Sequence, residues 1–188
     1  MTGKNDPCEG QVCPWWLIPT FDNPLRRLIH DPKKILEGLV VAGQCTADIG
    51  CGMGYFSIPL ARLVGEQGHV YAADVQDEML AGVKRRAIRA GVAERISLQK
   101  VSQGRLELPE KVDFALTFWM VHETPDQKEF FRQVHDLLKP GGRLLLVEPI
   151  IHVGQAAFER TLEAATEAGF VSVKPAAVRI SRARLLER

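Results

Sequence analysis

The sequence predicts an α/β fold: a Rossmann-like, doubly wound sheet of seven strands, mostly parallel, with an antiparallel last strand. Three observations lead to this prediction. Short apolar segments rich in Val, Ile, Leu and Ala alternate with amphipathic segments of helical spacing. A loop with glycine at every second position follows the first apolar segment. With 188 residues and 46% hydrophobic composition, the chain can bury the core of one domain.

The predicted strands are short and bounded by turn residues. They are "CTADI", "HVYAADV", "RISLQKV", "KVDFALTFWM", "RLLLVEP", "FVSVKP" and "AVRISRARLLE". The predicted helices lie between them, at Tyr55 to Val64, Asp77 to Ala90, Asp126 to Leu138 and Gln155 to Ala168. Glycine follows the second and fourth of these helices, and Lys139-Pro140-Gly141-Gly142 follows the third. Helices of this length between strands indicate right-handed crossovers and parallel pairing.

Residues 1–42 differ in composition from the rest of the chain and are predicted to form an N-terminal arm or cap over the ligand site of a main domain, 43–188. Prolines are too dense here for one long helix. Asp31 before Pro32 is a helix start signal, as is Asn23 before Pro24. Large aromatic side chains in this segment need a surface to pack on: Trp15, Trp16 and Phe21.

Composition limits the partners that we expect. The net charge of +1 gives no electrostatic footprint for nucleic acid or an anionic membrane. No apolar run approaches the ~20 residues of a membrane span, and the N-terminus lacks the apolar core of a signal peptide. The four cysteines are too few and too scattered for a disulfide scaffold. We therefore expect a cytoplasmic protein with no membrane or nucleic-acid partner; its oligomeric state is open, a homodimer included.

The glycine loop indicates the kind of ligand. Gly50, Gly52 and Gly54 allow the backbone to approach a ligand, at the edge of a parallel sheet where ligands bind. A dinucleotide site requires G-x-G-x-x-G, but Tyr55 stands where its last glycine would be. Asp48, two residues before the loop, would repel a pyrophosphate and attract an ammonium group. The loop therefore predicts a cationic ligand without phosphate, and S-adenosylmethionine has these properties.

A second carboxylate supports this ligand. In folds of this kind a ribose partner is expected about 20 residues after the glycine loop, at the end of the second strand. Asp74 occupies that place, closing "HVYAAD". Its carboxylate can accept hydrogen bonds from both ribose hydroxyls.

Several motifs in order resemble those of class I S-adenosylmethionine-dependent methyltransferases, closest to the type 11 methyltransferase domain. They are "ADIGCGMGYFSIPLARLVGEQGHVYAADVQDEML", "VDFALTFWMVHETPD" and "HDLLKPGGRLLLVEP". The resemblance covers residues 44–188. It implies an enzyme that transfers a methyl group from S-adenosylmethionine to a small molecule and releases S-adenosylhomocysteine.

The resemblance also implies which residues bind the cofactor. They are Asp48, Gly50, Cys51, Gly52 and Gly54 in the loop, Asp74 at the ribose, Val75 and Gln76 beside the adenine, and Phe118 at the end of the fourth strand. Many members have an acid just after the third strand that binds the adenine amino group. This chain has Ser102 and Gln103 there, and either would replace that contact.

His122 and Glu123 are the candidate catalytic residues, because they follow the fourth strand at the mouth of the predicted site. Methyl transfer depends first on alignment of the reactants. When the acceptor carries a proton, a base helps, and histidine is suited to that near neutral pH. The alternative is that His122 only stabilises the turn before Thr124-Pro125.

Four other readings remain. One is a nucleic-acid methyltransferase, which the near-neutral charge argues against. Cys8 and Cys13 could bind a soft metalloid in an arsenite-like methyltransferase. Two cysteines alone are too few ligands for zinc, so no metal site is predicted. The protein could also bind the cofactor without catalysis, or be a nicotinamide-dependent oxidoreductase, which Tyr55 argues against.

Overall fold

A computed structural model describes residues 26–188, apart from the side chain of Arg27. The predictions for Cys8, Cys13, Trp15, Trp16, Phe21 and Asn23 lie outside the described residues. The strands are β1 (Cys45–Ile49), β2 (His69–Asp74), β3 (Ile96–Lys100), β4 (Val112–Phe118), β5 (Leu138–Pro149), β6 (Val171–Pro175) and β7 (Ser181–Glu187). The helices are α1 (Arg26–Ile29), α2 (Pro32–Leu36), α3 (Ser57–Val64), α4 (Asp77–Ala90), α5 (Gln127–Leu137) and α6 (Gln155–Glu167).

The seven strands form one sheet in the order β3-β2-β1-β4-β5-β7-β6. β7 runs antiparallel to both of its neighbours, and the other pairs are parallel. The predicted Rossmann-like fold is therefore confirmed. The strand order reverses at β1, because the chain passes from β1 outward to β3 and then returns to place β4 on the other side. The glycine loop follows β1, so it lies at this reversal.

Successive side chains of β5 point to opposite faces of the sheet, and both faces are buried. Leu144 and Leu146 are fully buried on one face, where they pack with Phe131 of α5 and Phe158 of α6. The intervening Leu145 is fully buried in the cluster on the other face, which contains residues of α2 and α3. A sheet with two covered faces explains strands that are apolar at nearly every position.

One local prediction differs from the structure. The segment Pro140–Gly142 was expected to be a turn before the fifth strand, but it lies inside β5, which begins at Leu138. The pairing with β4 shifts in register here, and Gly141 has a positive φ of 73°. Gly141 N donates to Arg188 O, and Arg188 N donates to Gly142 O at 2.9 Å. Pairing with the last residue of the chain therefore holds these residues in the sheet.

Residues 26–42 pack against the main domain. Asp31 accepts a hydrogen bond from Lys33 N and caps α2 at Pro32, as predicted. Leu36 is fully buried in the core cluster beside α3. The hydroxyl of Tyr55 donates to His30 O at 2.6 Å. The division of the chain at residue 42 into arm and domain stays a prediction. Among the described residues, no helix is both long enough and apolar enough to span a membrane.

Candidate functional site

A cavity of about 510 Å³ opens at the carboxyl edge of the sheet, beyond the ends of β1, β2 and β4. Most of the residues predicted for the site line it: Asp48, Gly50, Cys51, Gly52, Asp74, Val75, Gln76, Ser102, Phe118, His122 and Glu123. Gly54 is not among the lining residues. The cavity has two walls, the glycine-loop wall (residues 48–57 and 74–76) and the histidine wall (residues 119–123 and 148–152).

The glycine loop turns sharply as it leaves β1. Gly50 and Cys51 both donate from their main-chain N–H to Ala73 O, at 2.9 and 3.0 Å. Gly50 has a φ of +70°, and a Cβ there would lie 2.8 Å from the Cγ of Met120. Gly54 has another reason to be glycine, because a Cβ there would lie 3.2 Å from the Cγ2 of Val83 in α4. The loop therefore needs glycine both to lie under the cavity and to pack against α4.

The carboxylate of Asp74 accepts hydrogen bonds from two main-chain N–H groups of the glycine-loop wall. Its Oδ2 accepts from Gly52 N and its Oδ1 from Gln76 N, both at 2.9 Å. The side chain is buried, which raises its pKa, while the N–H groups of Gln76 and Gly52 act in the opposite direction. Each oxygen keeps acceptor capacity for a further donor. Asp74 can therefore bind two hydroxyls of a ligand while its orientation is fixed by the main chain.

Asp48 lies on the same wall. It is only 2% exposed, and its Oδ2 accepts from Ser57 Oγ at 2.5 Å. Burial raises its pKa to about 6; the Ser57 hydrogen bond opposes the rise and the nearby Asp74 charge adds to it. The guanidinium of Arg26 lies over the Tyr55 ring, 4.2 Å from its centroid, and its charge also lowers the pKa of Asp48.

The loop after β3 brings Ser102 and Gln103 to the cavity. Val101 N donates to Asp74 O at 3.1 Å, and Arg105 N donates to Ser102 O at 3.0 Å. The first bond ties the loop to the end of β2, and the second closes it on itself. Ser102 and Gln103 therefore line the same cavity as Val75 and Gln76, and their contact with an adenine stays a prediction.

The histidine wall begins where β4 ends. Trp119 has a positive φ of 63°, unusual for a residue with a Cβ. Its N–H donates to Val147 O at 2.8 Å and its indole Nε1 to Ser181 Oγ at 3.0 Å. The chain then turns into a short 3-10 helix at Val121–Glu123. These contacts fix the direction in which His122 enters the cavity.

His122 is bonded to a buried carboxylate. Its Nδ1 lies 2.5 Å from Glu148 Oε2, and Glu148 Oε1 accepts from Val121 N at 2.9 Å. Glu148 is the penultimate residue of β5 and is 1% exposed. The ring of His152 lies parallel to that of His122, with the centroids 6.0 Å apart.

Sequence reasoning did not identify Glu148 or His152 as site residues. A signal for Glu148 existed, since "VEP" places an acid at the carboxyl end of a predicted strand, at the same edge as the glycine loop.

The described cysteines have no reactive character. Burial raises the pKa of Cys45 to about 12 and that of Cys51 well above its ordinary value. Within residues 26–188, no group of three or more His, Cys, Asp or Glu side chains is arranged to hold a metal ion.

The lining fits a cationic nucleoside such as S-adenosylmethionine. Three carboxylates line the cavity, Asp48, Asp74 and Glu123, against two arginines, Arg26 and Arg105, in the described part of the chain. A pyrophosphate would face Asp48 and Asp74 at the loop, whereas an ammonium group and a ribose find acceptors there. Asp74 and Asp48 are the two carboxylates that the glycine-loop wall presents to such a ligand.

Comparisons with known proteins agree with this fit. Residues 47–142 match a family model described as a methyltransferase domain. The chain is 30% identical over 115 residues to the ubiquinone/menaquinone biosynthesis C-methyltransferase of Marinomonas sp., covering 61% of this chain and 46% of that protein. It is 32% identical over 135 residues to the ubiquinone biosynthesis O-methyltransferase of Xanthomonas euvesicatoria, covering 70% and 54%. The chain thus spans about half the length of these curated relatives.

A solved structure shares the fold over nearly the whole chain. The S-adenosylmethionine-dependent methyltransferase of Aquifex aeolicus superposes with a TM-score of 0.83 at 24% identity, covering 94% of this chain and 98% of that one. The family model, which matches more than half of the chain, and the shared fold together lead to one conclusion: this chain belongs to the class I S-adenosylmethionine-dependent methyltransferases, whose cofactor is S-adenosylmethionine.

Proposed function

We propose that this protein transfers the methyl group of S-adenosylmethionine to a small apolar molecule. One observation carries the proposal: a single cavity has a buried carboxylate, Asp74, on one wall and a histidine, His122, on the other. The bound cofactor supplies an electrophilic methyl group on a sulfonium that is already a good leaving group. The protein has to align the acceptor with that methyl group and exclude water.

The cofactor-binding roles are distributed along the glycine-loop wall. Asp74 accepts from the ribose hydroxyls, and Asp48 attracts the ammonium group. Val75 and Gln76 flank the adenine, with Ser102 or Gln103 at its amino group. The backbone of Gly50 and Gly52 lies under the ligand, with Cys51 as a small residue between them. Phe118 packs against Phe56, with ring centroids 4.5 Å apart, and forms part of the floor.

The remaining surface of the cavity indicates the acceptor. Its side chains are mainly apolar: Leu106, Trp119, Met120, Pro125, Phe130 and Ile151. A pocket of this kind favours a flat or branched apolar molecule over a highly charged one. The relatives named above carry quinone-biosynthesis names, which supports a small apolar acceptor in this chain too. His122 is the proposed base, and Glu123 the proposed contact to the acceptor.

The other partners that we expect follow from charge. The net charge of +1 supports neither a nucleic-acid nor a membrane partner. We propose a cytoplasmic location, and we leave the oligomeric state open.

Titration calorimetry with S-adenosylhomocysteine tests the cofactor site. Asp74→Ala is expected to weaken binding at least ~100-fold, because two ribose hydrogen bonds to a carboxylate are lost. The matched control is Asp77→Ala, three residues further on, whose side chain is 79% exposed. It is expected to bind normally. A folded Asp74→Ala variant with unchanged affinity would contradict the assignment.

Turnover distinguishes the enzyme from the alternatives. Release of S-adenosylhomocysteine with an apolar hydroxyl compound supports catalysis, whereas tight binding with no product across a panel of acceptors supports a non-catalytic protein. The metalloid alternative depended on Cys8 and Cys13, outside the described residues. Within residues 26–188, the buried Cys45 and Cys51 offer no thiolate for it, because burial raises the pKa of both.

A further inference from the structure

Glu148 is not among the residues that line the cavity, yet it is among the most completely buried polar side chains described, at 1% exposed. Both of its carboxylate oxygens form hydrogen bonds with the same short turn after β4. Oε1 accepts from the main-chain N–H of Val121, and Oε2 lies 2.5 Å from Nδ1 of the next residue, His122. A buried carboxylate that bonds two successive residues fixes both the turn and the plane of the imidazole ring.

The bond to Glu148 also assigns the tautomer of His122. An ionised carboxylate only accepts hydrogen bonds, so the proton of a neutral imidazole must lie on Nδ1. The other ring nitrogen, Nε2, is then the acceptor. The assignment follows from the hydrogen-bond network around the ring.

We propose that Glu148 is a positioning residue that holds His122 with Nδ1 protonated, so that Nε2 takes a proton from the methyl acceptor. The acceptor therefore carries an acidic hydrogen, as on the hydroxyl of an apolar ring, and is not a tertiary amine or a thioether. This inference rests on the proposed function and adds the class of the acceptor group to it.

The step balances with groups already named. An electron pair of the acceptor oxygen forms a bond to the methyl carbon, and the carbon–sulfur bond breaks with its electron pair remaining on sulfur. The hydroxyl proton moves to Nε2 of His122. The imidazolium so formed is stabilised by the carboxylate of Glu148, as a buried acid does for a catalytic histidine. His152 is exposed beside it, at the edge where the proton can leave to solvent.

A purely structural role is the competing explanation, because the bond to Val121 N alone would hold the turn. Glu148→Gln separates the two roles. The glutamine oxygen can still accept from Val121 N, but its amide group can only donate toward His122. The turn is kept, and the histidine is driven to the tautomer with Nε2 protonated.

Nitrogen NMR of 15N-histidine-labelled protein, with S-adenosylhomocysteine bound and at a pH where the ring is neutral, reads the tautomer directly. We expect the Nδ1–H form in the wild type and the Nε2–H form in Glu148→Gln. Affinity for S-adenosylhomocysteine is expected to change less than ~3-fold. The matched control is Glu163→Gln, the same substitution at an exposed position of α6, which should leave His122 unchanged.

The acceptor class is tested by titrating phenol, hydroquinone and 2-naphthol into the same sample. At least one of them should shift the Nε2 resonance of the wild type, and none should do so in Glu148→Gln. Wild-type His122 in the Nε2–H form, or a folded Glu148→Gln variant with unchanged tautomer, would overturn the positioning role. No shift with any of the three compounds would overturn the acceptor class. If Glu148→Gln does not fold, the wild-type tautomer decides.

These failures differ from failure of the proposed function. The proposed function fails if the wild type does not bind S-adenosylhomocysteine. The further inference fails only when the cofactor product binds normally and His122 carries the wrong tautomer or does not respond to a hydroxyl compound.

Discussion

The two walls of the cavity reach the same edge of the sheet but are stabilised by different contacts. On the glycine-loop wall, a side-chain carboxylate bonds main-chain N–H groups, as Asp74 does with Gly52 and Gln76. On the histidine wall, His122 and Trp119 depend also on side-chain partners from distant strands, Glu148 of β5 and Ser181 of β7.

This difference explains why the glycine-loop wall is easier to predict from the sequence than the histidine wall. Main-chain donors are present whatever the side chains are, so the contacts that orient Asp74 need only the loop and one acid at a fixed distance from it. The histidine wall needs particular partners that come from β5 and β7, and their proximity depends on the order of strands in the sheet. In the proposed function, the first wall binds the cofactor that the family shares, and the second faces the acceptor.

The largest expected effect separates turnover from binding on the histidine wall. His122→Ala is expected to lower kcat about 10²- to 10⁴-fold, the usual contribution of a positioned base. Cofactor affinity should remain within ~3-fold, since the glycine-loop wall is intact. His69→Ala, at the opposite edge of the sheet where His69 bonds Ser97, is the control and should keep full turnover. Equal kcat in both variants would remove the catalytic role of His122.

The next largest effect concerns the contact between the two walls, where Gly50 lies against Met120. Gly50→Ala should lower the free energy of unfolding for two reasons. An alanine with a left-handed φ costs about 1 to 2 kcal/mol, and the overlap of its Cβ with Met120 adds about 1 to 3 kcal/mol. Gly43→Ala has a similar φ of 84° but no atom within 4 Å of the new Cβ, so it shows the backbone cost alone. Urea unfolding measures both, and Met120→Ala should reduce the loss in Gly50→Ala. Equal losses in the two glycine variants would mean that the walls are not in contact.

A smaller effect concerns the pH dependence of stability on the glycine-loop wall. The pKa of Asp48 is about 6 in the folded protein against an ordinary value of 3.8, so folding takes up a proton between these values. The contribution of Asp48 to stability therefore falls as pH rises from about 4 to 6, and then stays constant. As the pH rises over that range, the free energy of unfolding of Asp48→Asn should increase by about 2 to 3 kcal/mol relative to that of the wild type. Unfolding at pH 4, 5, 6 and 7 measures the gain; a constant difference would place the pKa of Asp48 near its ordinary value.

The smallest effect concerns a long-range contact of the histidine wall. Ser181→Ala removes the acceptor of the Trp119 indole N–H, and we expect a loss of about 1 kcal/mol in the free energy of unfolding. Turnover should fall several-fold, because Trp119 lines the cavity. Ser172→Ala, at an exposed position of β6, is the matched control. Unchanged stability and turnover in Ser181→Ala would show that backbone contacts alone position Trp119.

Most of the fold could be predicted because its signals are local. The helix at Asp77–Ala90 was predicted with the right bounds, since an amphipathic pattern ends at Gly91, which adopts the left-handed conformation. The start of β5 could not be predicted in this way. Pro140 and two glycines have turn propensities. β4 pairs with Leu138 and Arg143 on either side of them, and the bonds of Gly141 and Gly142 to Arg188 hold them in the sheet.

The sequence by itself determined the alternation of strands and helices, the glycine loop with Asp48 and Asp74, and therefore the class of cofactor. These features depend on periodicity and on fixed spacing within one strand–loop–helix unit, which are written in consecutive residues. Only the tertiary structure decided that Glu148 contacts His122 and that Ser181 contacts Trp119. Those contacts exist because β5 lies between β4 and β7, and the free energy that sets this order comes from burying both faces of the whole sheet.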